Sequence, residues 1–253
     1  TSRQAISKIS KIFSFNKIGH GGTLDPLATG VLPIALGEAT KLISFIQKKK
    51  KKYSFTIKWG EGTDTNDSEG KIKEKSSSRP NKEEIQSALT TFTGKIYQIP
   101  PSFSAIKIHG ERSYNLARKN ISVRHIPRQV KVYEFKLKKI LNVDFAEFEV
   151  ICGKGTYIRS LARDLAEKLN TKGHVIKLRR HFVGNFNEKD KFFIDFSQEI
   201  IHSPSLLKNI IPIEKVLDDI PALLLTETEA TKLRQGQKIR LNSLRFNENF
   251  IVE

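Results

Sequence analysis

The sequence predicts an α+β fold: strands in antiparallel pairs, flanking helices and a small C-terminal addition. Three observations carry that prediction. Stretches such as YSFTIKWG, VKVYEFKLKKI and VDFAEFEVIC alternate apolar and polar residues, the period of a half-buried strand. NKEEIQSALTTFTG and GKGTYIRSLARDLAEKL instead repeat apolar residues every three or four positions, the period of an amphipathic helix. No internal repeat is visible, and 253 residues suffice for one sizeable core with a small appendage.

In chain order, SRQAISKISKIFSF opens with a helix whose Ala5, Ile6, Ile9 and Ile12 share a face, with lysines opposite. A glycine-rich loop follows. ATKLISFIQ reads as helix and runs into five consecutive lysines, Lys48 to Lys52, expected in a solvated loop. In YSFTIKWG, Tyr53, Phe55, Ile57 and Trp59 face one way and Ser54, Thr56 and Lys58 the other, so Tyr53 points with the core face. GEGTDTNDSEGK, continuing to KSSSRP, reads as an exposed, acidic, turn-rich connection. Its Asp64 and Asp67 lack the ligand order and terminal glutamate of an EF-hand, which argues against calcium.

Asn81 with Glu84 predicts a capping box, Ile85, Ala88, Leu89 and Phe92 form the stripe of the helix that follows, and Gly94 closes it. From Ile99 to Gln129, Lys107, Arg112, Arg118, Lys119, Arg124 and Arg128 interleave with Phe103, His109, Tyr114 and His125. Cations for phosphates beside rings that stack on bases suit an RNA-contacting segment, and an ordinary basic hairpin and helix reads the same way. After two more strands comes a helix with Ile158, Leu161, Leu165 and Leu169 inward and Arg159 and Arg163 one turn apart. HVIKLRRHFVG is a further strand bearing Lys177, Arg179 and Arg180. Beyond Pro212 the pattern weakens into a short helix and a small strand-rich module.

Forty-four Lys plus Arg against 27 Asp plus Glu, a formal charge of +17, favour an anionic polymer as partner, nucleic acid ahead of a membrane surface. No apolar run of about 18 residues and no secretory start support membrane insertion or export, so a cytoplasmic protein is expected. The single cysteine, Cys152 in FEVICGKG, excludes an internal disulfide framework and a Cys-rich zinc site and reads as a buried thiol in a strand. Six histidines show no HExxH or paired metal spacing, so no metal is expected. Methionine is absent even at position 1, which suggests a chain trimmed at its start.

The glycine loop, GHGGTLDPLATGVLPIALGEATKL from Gly19 to Leu42, is the part that asks for a chemical reading. Phosphate cradling fails: there is no GxxxxGK[ST] and no GxGxxG, and Asp25 would repel a phosphate. The loop is built to present Asp25. Spacing alone leaves open whether that Asp-Pro is only a turn.

Five blocks resolve the ambiguity. GHGGTLDPLATGVLPIALGEATK, KKYSFTIKWGEGTDTNDSEG, QIPPSFSAIKIHGERSYNLAR, CGKGTYIRSLARDLAEKL and HVIKLRR stand in the order, and at the intervals, in which the TruB-type tRNA pseudouridine synthases carry their motifs. The chain resembles that family from about Gly19 to Arg180. The resemblance implies a mixed, largely antiparallel central sheet of the pseudouridine synthase type flanked by helices, with a mobile basic thumb at about 102–128. It implies a catalytic domain over 1–212 and a PUA-like module over 213–253. It also implies isomerisation of uridine-55 in the T-arm loop of tRNA by a monomer that needs neither cofactor nor protein partner.

Residue by residue, Asp25 matches the family's catalytic aspartate and Arg159 in GTYIRS the arginine that pairs with it; alone, Arg159 reads as a surface helix residue. Tyr53 matches the tyrosine that stacks on the target base, with its place in the core left open, and Tyr157 a second tyrosine lining the pocket. His20 matches a histidine beside the flipped nucleotides and Leu178 an apolar residue under the pocket. Lys177, Arg179 and Arg180 are expected to contact phosphates.

Two departures stand out. The family's Lys-Pro-x-Gly strand, which precedes TS, is not in this sequence, and the C-terminal module stops early. Two rival readings remain open, a guide-RNA-dependent dyskerin-like synthase and a tRNA-folding chaperone without catalysis.

Overall fold

A computed structural model describes residues 1–12, 15–108, 110–119, 121, 125–190, 210–217, 220 and 223–239, excluding the side chains of 12 and 190. The chain divides into two compact units, Thr1–Asn209 and Ile210–Glu253.

The first unit is α+β, as the sequence predicts. Helix α1 (Ser2–Ile12) leads into three short strands, β1 (Ile18–His20), β2 (Ala28–Gly30) and β3 (Ile34–Leu36). The loop expectation is corrected here: β1 and β3 pair antiparallel, Ile18 with Leu36 and His20 with Ile34, so the glycine-rich segment is clamped at its base. A 3-10 turn (Gly37–Leu42) and α2 (Ile43–Lys48) precede β4 (Lys51–Trp59). Lys51 and Lys52 thus belong to a strand rather than to a solvated loop. The Lys51 side chain is buried, its ammonium bonding the carbonyls of Gln47 and Lys49, each at 2.9 Å.

A hairpin of β5 (Glu61–Thr63) and β6 (Ile72–Lys75) occupies the acidic connection. Helix α3 (Lys82–Leu89) has the predicted reciprocal cap: Glu84 N–H donates to Asn81 Oδ1 at 2.9 Å and Asn81 N–H to Glu84 Oε2 at 2.8 Å. Strand β7 (Gly94–Gln98) is missing from the sequence reading, because five residues beginning at glycine and ending before two prolines carry little periodicity. The basic segment holds a hairpin, β8 (Lys107–Ile108) with β9 (Glu111–Arg112), and the short helix α4 (Ser113–Arg118). His109 and Arg124 of that segment lie outside the described residues. Then come β10 (Arg128–Asn142), β11 (Phe145–Cys152), α5 (Ile158–Lys168), β12 (Gly173–Val183) and β13 (Phe186–Asn187).

The principal sheet runs β13-β12-β4-β11-β10-β7, antiparallel throughout, and β2 adds parallel to β12, so the sheet is mixed and largely antiparallel. One face of it carries the core. Phe55, Phe135 and Phe148 meet there with centroids 5.5–5.8 Å apart, and Leu161 and Leu165 of α5 and Ile85 of α3 are buried with them. Such aromatic and branched side chains contribute about 1.5–3 kcal/mol each on burial, which pins α3 and α5 to that face.

The second unit contains a 3-10 turn (Ile213–Val216) and a helix (Glu227–Arg234) with its own capping box, Thr226 with Glu229. Residues 240–253, where strands of the small module are expected, lie outside the described residues.

Candidate active site

Asp25 ends the first half of the glycine loop, and several anchors fix it. Leu24 N–H donates to Ser2 Oγ at 2.9 Å, Ala28 N–H to the Asp25 carbonyl at 2.9 Å, and Gly21 N–H to the Pro33 carbonyl at 2.8 Å. Behind the loop, Arg180 is 1% exposed and spends its guanidinium on backbone: Nε to Val31 O at 2.7 Å and Nη2 to Gly22 O at 2.9 Å. Gly30 has φ +101°, and a Cβ there would overlap the Arg180 carbonyl, so glycine is required for β2 to lie against β12.

The expectation of Arg180 as a phosphate contact is therefore corrected. A guanidinium buried beneath the loop and bonded to its carbonyls is withdrawn from the surface that a phosphate would touch, and its work is to hold the loop's shape.

Arg159, in the first turn of α5, reaches Asp25 across 134 residues of sequence. Its Nε donates to Oδ2 at 2.8 Å and Nη2 to Oδ1 at 3.0 Å, a bidentate pair. The same guanidinium donates to Thr65 O and Phe103 O, each at 2.9 Å, and Asp67 Oδ2 lies 3.6 Å from Nη1. Arg159 is 4% exposed, against the surface position that its helix alone suggests. It joins the glycine loop, the acidic hairpin and the start of the basic segment at one point.

Asp67, 2% exposed, is the residue that sequence reasoning misses. Weighed only as a calcium ligand, it instead accepts from Thr65 Oγ1 at 2.5 Å and Glu69 N–H at 3.0 Å and supplies a second carboxylate beside Arg159. Nothing local in TDTND marks it, since its partner comes from another element. Gln98 is missed likewise: it accepts from Tyr157 N–H at 2.8 Å and donates to Tyr157 O at 3.0 Å, fixing the residue that caps α5.

Around this pair stand the rings. Tyr53 sits opposite Arg180 in the β4–β12 register, its ring 6.0 Å from the guanidinium carbon; burial pushes its phenol up to about 12, so it is a neutral O–H. The core place left open for Tyr53 is realised at 9% exposure, at the margin where the core meets Asp25. Burial also raises the Tyr157 phenol, which feels both Asp25 and Arg159. His20 accepts from Gly22 N–H through Nδ1 at 3.4 Å, and burial, then the charge of Arg180, lowers its pKa and favours the neutral ring. Leu178 packs in the core with Tyr53 and pairs with Ala28 of β2.

Lys177 and Arg179 do not join them. They project from the opposite face of β12, aligned with Thr56 and Ser54, and Arg179 is held by Glu188 Oε2 at 2.8 Å and Thr29 Oγ1 at 3.2 Å. Strand alternation sends these neighbours of Leu178 the other way, so a phosphate that they contact lies on that face of the sheet and not at Asp25. Cys152, 0% exposed with its thiol raised by burial to about 11, is the expected inert thiol. Among the described residues no cluster of His, Cys, Asp and Glu could hold a metal, and no helix is long and apolar enough to cross a membrane.

The arrangement defines a class first. A chain from a solved Cbf5-Nop10-Gar1 complex is 26% identical with TM-score 0.68, covering 93% of this chain and 64% of that one. A chain from an H/ACA RNP bound to a substrate RNA containing 2'-deoxyuridine shares the fold at 24% identity and TM-score 0.69, with 97% and 66% covered. This chain thus spans about two thirds of those solved chains.

Sequence relatives narrow the class. Residues 10–158 match the model of the TruB family pseudouridylate synthase (N terminal domain), and residues 159–218 that of the tRNA pseudouridylate synthase B C-terminal domain. The tRNA pseudouridine synthase B of Caulobacter sp. (strain K31) is 46% identical over 95% of this chain and 78% of the relative. That of Bradyrhizobium diazoefficiens is also 46% identical, over 95% and 71%. The chain belongs to the TruB family of pseudouridylate synthases.

Proposed function

We propose that this protein converts uridine-55 in the T-arm loop of tRNA to pseudouridine, acting as a monomer in the cytoplasm without a cofactor. The observation that carries the reading is the bidentate Asp25–Arg159 pair, buried on the arginine side and open on the aspartate side, with side-chain exposures of 5% and 29%. A fixed cation keeps the carboxylate ionised and aimed, while its open edge can meet a nucleotide.

In this reading the target uridine leaves the T-loop stack and enters beside Asp25, with Tyr53 against the base, Tyr157 and Leu178 walling the pocket and His20 near the opened loop. The C1′–N1 bond breaks with Asp25 at C1′, either adding to it or stabilising its positive charge. The uracil anion then turns, C5 bonds to C1′ and displaces Asp25 where it had added, and C5 passes its proton to a base or to water. Tyr53, held as a neutral O–H, is a candidate for proton transfer at C2′ if the path runs through a glycal, suited to returning the proton to C2′ rather than removing it. The catalytic domain spans 1–212 and the PUA-like module 213–253, with the basic segment at 102–128 closing on the RNA.

The 46% identity to relatives named tRNA pseudouridine synthase B, against 26% to the Cbf5 chain, favours this reading over a guide-dependent one. The test is tritium release from tRNA labelled at uridine C5, run on the protein, on Asp25→Asn, and on a transcript with cytidine at the target. Release that vanishes in both controls supports it. Binding without release at any protein concentration overturns it in favour of a folding chaperone.

A further inference from the structure

The face of the sheet opposite the core carries a corner of cations and rings that the site does not use. Val130 and Val132 of β10 point into the core at 6% and 0% exposure, so Lys131 between them points out, and Tyr133, at the bulge that follows Val132, has its ring beside the Lys131 ammonium. Lys131 lies opposite Lys95, and Gln129 opposite Tyr97, in the β7–β10 register, which puts Lys95 and Tyr97 on the same outward face. Tyr97 is 72% exposed and Tyr133 38%. The ammonium groups of Lys50 and Lys131 stand 4.5 and 4.8 Å from the Tyr133 ring centroid. Glu134, the neighbouring carboxylate, is paired with Lys136. Gly153 N–H donates to Lys131 O at 2.8 Å, so β10 is held firmly here.

The corner adjoins the site. Tyr97 precedes Gln98, whose side chain turns inward to hold Tyr157, and β7 is the terminal strand of the sheet path at this end. Tyr157 caps α5, whose Arg159 holds Asp25, so the corner and the site are tied through one hydrogen-bonded link. Lysines alone would suit any anionic surface. Exposed rings set among them on a rigid sheet add what bases recognise, a flat apolar face between phosphate contacts.

We propose that this corner binds an unpaired segment of the same tRNA outside its T-arm, with Lys50, Lys95 and Lys131 on phosphates and Tyr97 and Tyr133 against bases. It rests on the tRNA reading above.

The test compares full-length tRNA with the isolated T-arm stem-loop, using the full chain, its Tyr97→Ala/Lys131→Gln and Tyr97→Phe variants, and Lys82→Gln on α3 as a control of equal charge change. The double variant is expected to bind full-length tRNA about tenfold more weakly, as loss of one stacked base predicts. Its log–log salt slope should be shallower by about 0.7 for the lost lysine, the value for an unpaired strand. Its stem-loop affinity and its tritium release from the stem-loop should match those of the unaltered protein, and Tyr97→Phe and Lys82→Gln should bind full-length tRNA as that protein does. Unchanged affinity for full-length tRNA overturns the proposal, as does an equal loss on both RNAs. So does a loss confined to binding of phosphatidylglycerol vesicles, which would make the corner a membrane contact. Failure of the functional reading looks different: the unaltered protein releases tritium from neither RNA.

Discussion

Asp25 and Arg159 illustrate how unequally two partners in one ion pair can be held. Arg159 also bonds two carbonyls from separate elements, whereas Asp25 meets solvent on one side. Asp25→Asn should therefore abolish tritium release while leaving the denaturation midpoint close to that of the unaltered protein. Arg159→Ala leaves a buried carboxylate, Asp67, without its neighbouring cation and two carbonyls without their donor, and should cost about 3 kcal/mol of stability as well as activity. Urea titrations beside the activity assay separate the two outcomes.

Lys51 offers a pH test at the same scale. Burial lowers it to about 8 from an ordinary 10.5. Between those values the unfolded chain binds the proton that the folded chain has shed, so the stability contributed by this group rises with pH there. Unfolding curves for the protein and Lys51→Met at pH 7 and pH 10 should show the protein gaining relative to the variant at the higher pH. A constant difference would mean the ammonium is not desolvated.

Among the elements, β2 has the greatest leverage for its size. Three residues long, it joins the Asp25 turn to β12 through a parallel pairing that only glycine at position 30 permits. Gly30→Ala should destabilise by about 2–4 kcal/mol and displace Asp25, so that tritium release falls at temperatures where the fold survives. The cap of α3 is the contrasting case. Asn81→Ala removes one side of a reciprocal pair far from Asp25 and should cost about 1 kcal/mol with no change in release per folded molecule. Differential scanning calorimetry with matched activity measurements checks both.

For the whole molecule, the net charge of +17 implies that its affinity for RNA depends on salt. The logarithm of the tRNA affinity should fall linearly with the logarithm of salt concentration. The rate of the bound complex should stay constant, because the ion pair at the centre is shielded from solvent on its arginine side. A turnover rate at saturating tRNA that falls as steeply as the affinity would place exposed cations in the chemistry itself.

The strands read at 53–60, 130–140 and 143–152, the cap at Asn81 and the amphipathic face of α5 are local matters of periodicity and hydrogen-bond chemistry, and sequence alone determines them to within a few residues at their ends; the Thr226 cap, which no periodic stripe advertises, it does not. Motif order also carries the family and Asp25. Tertiary structure decided what depends on distant chain segments meeting. It turned Arg180 inward and sent Lys177 and Arg179 to the far face, because alternation along β12 is set by which neighbours it pairs with. It brought Asp67 from an acidic turn to Arg159, and Gln98 from an unrecognised strand to Tyr157. A carboxylate's partner is chosen by proximity in space, and no pattern of nearby residues encodes a distance that only folding closes.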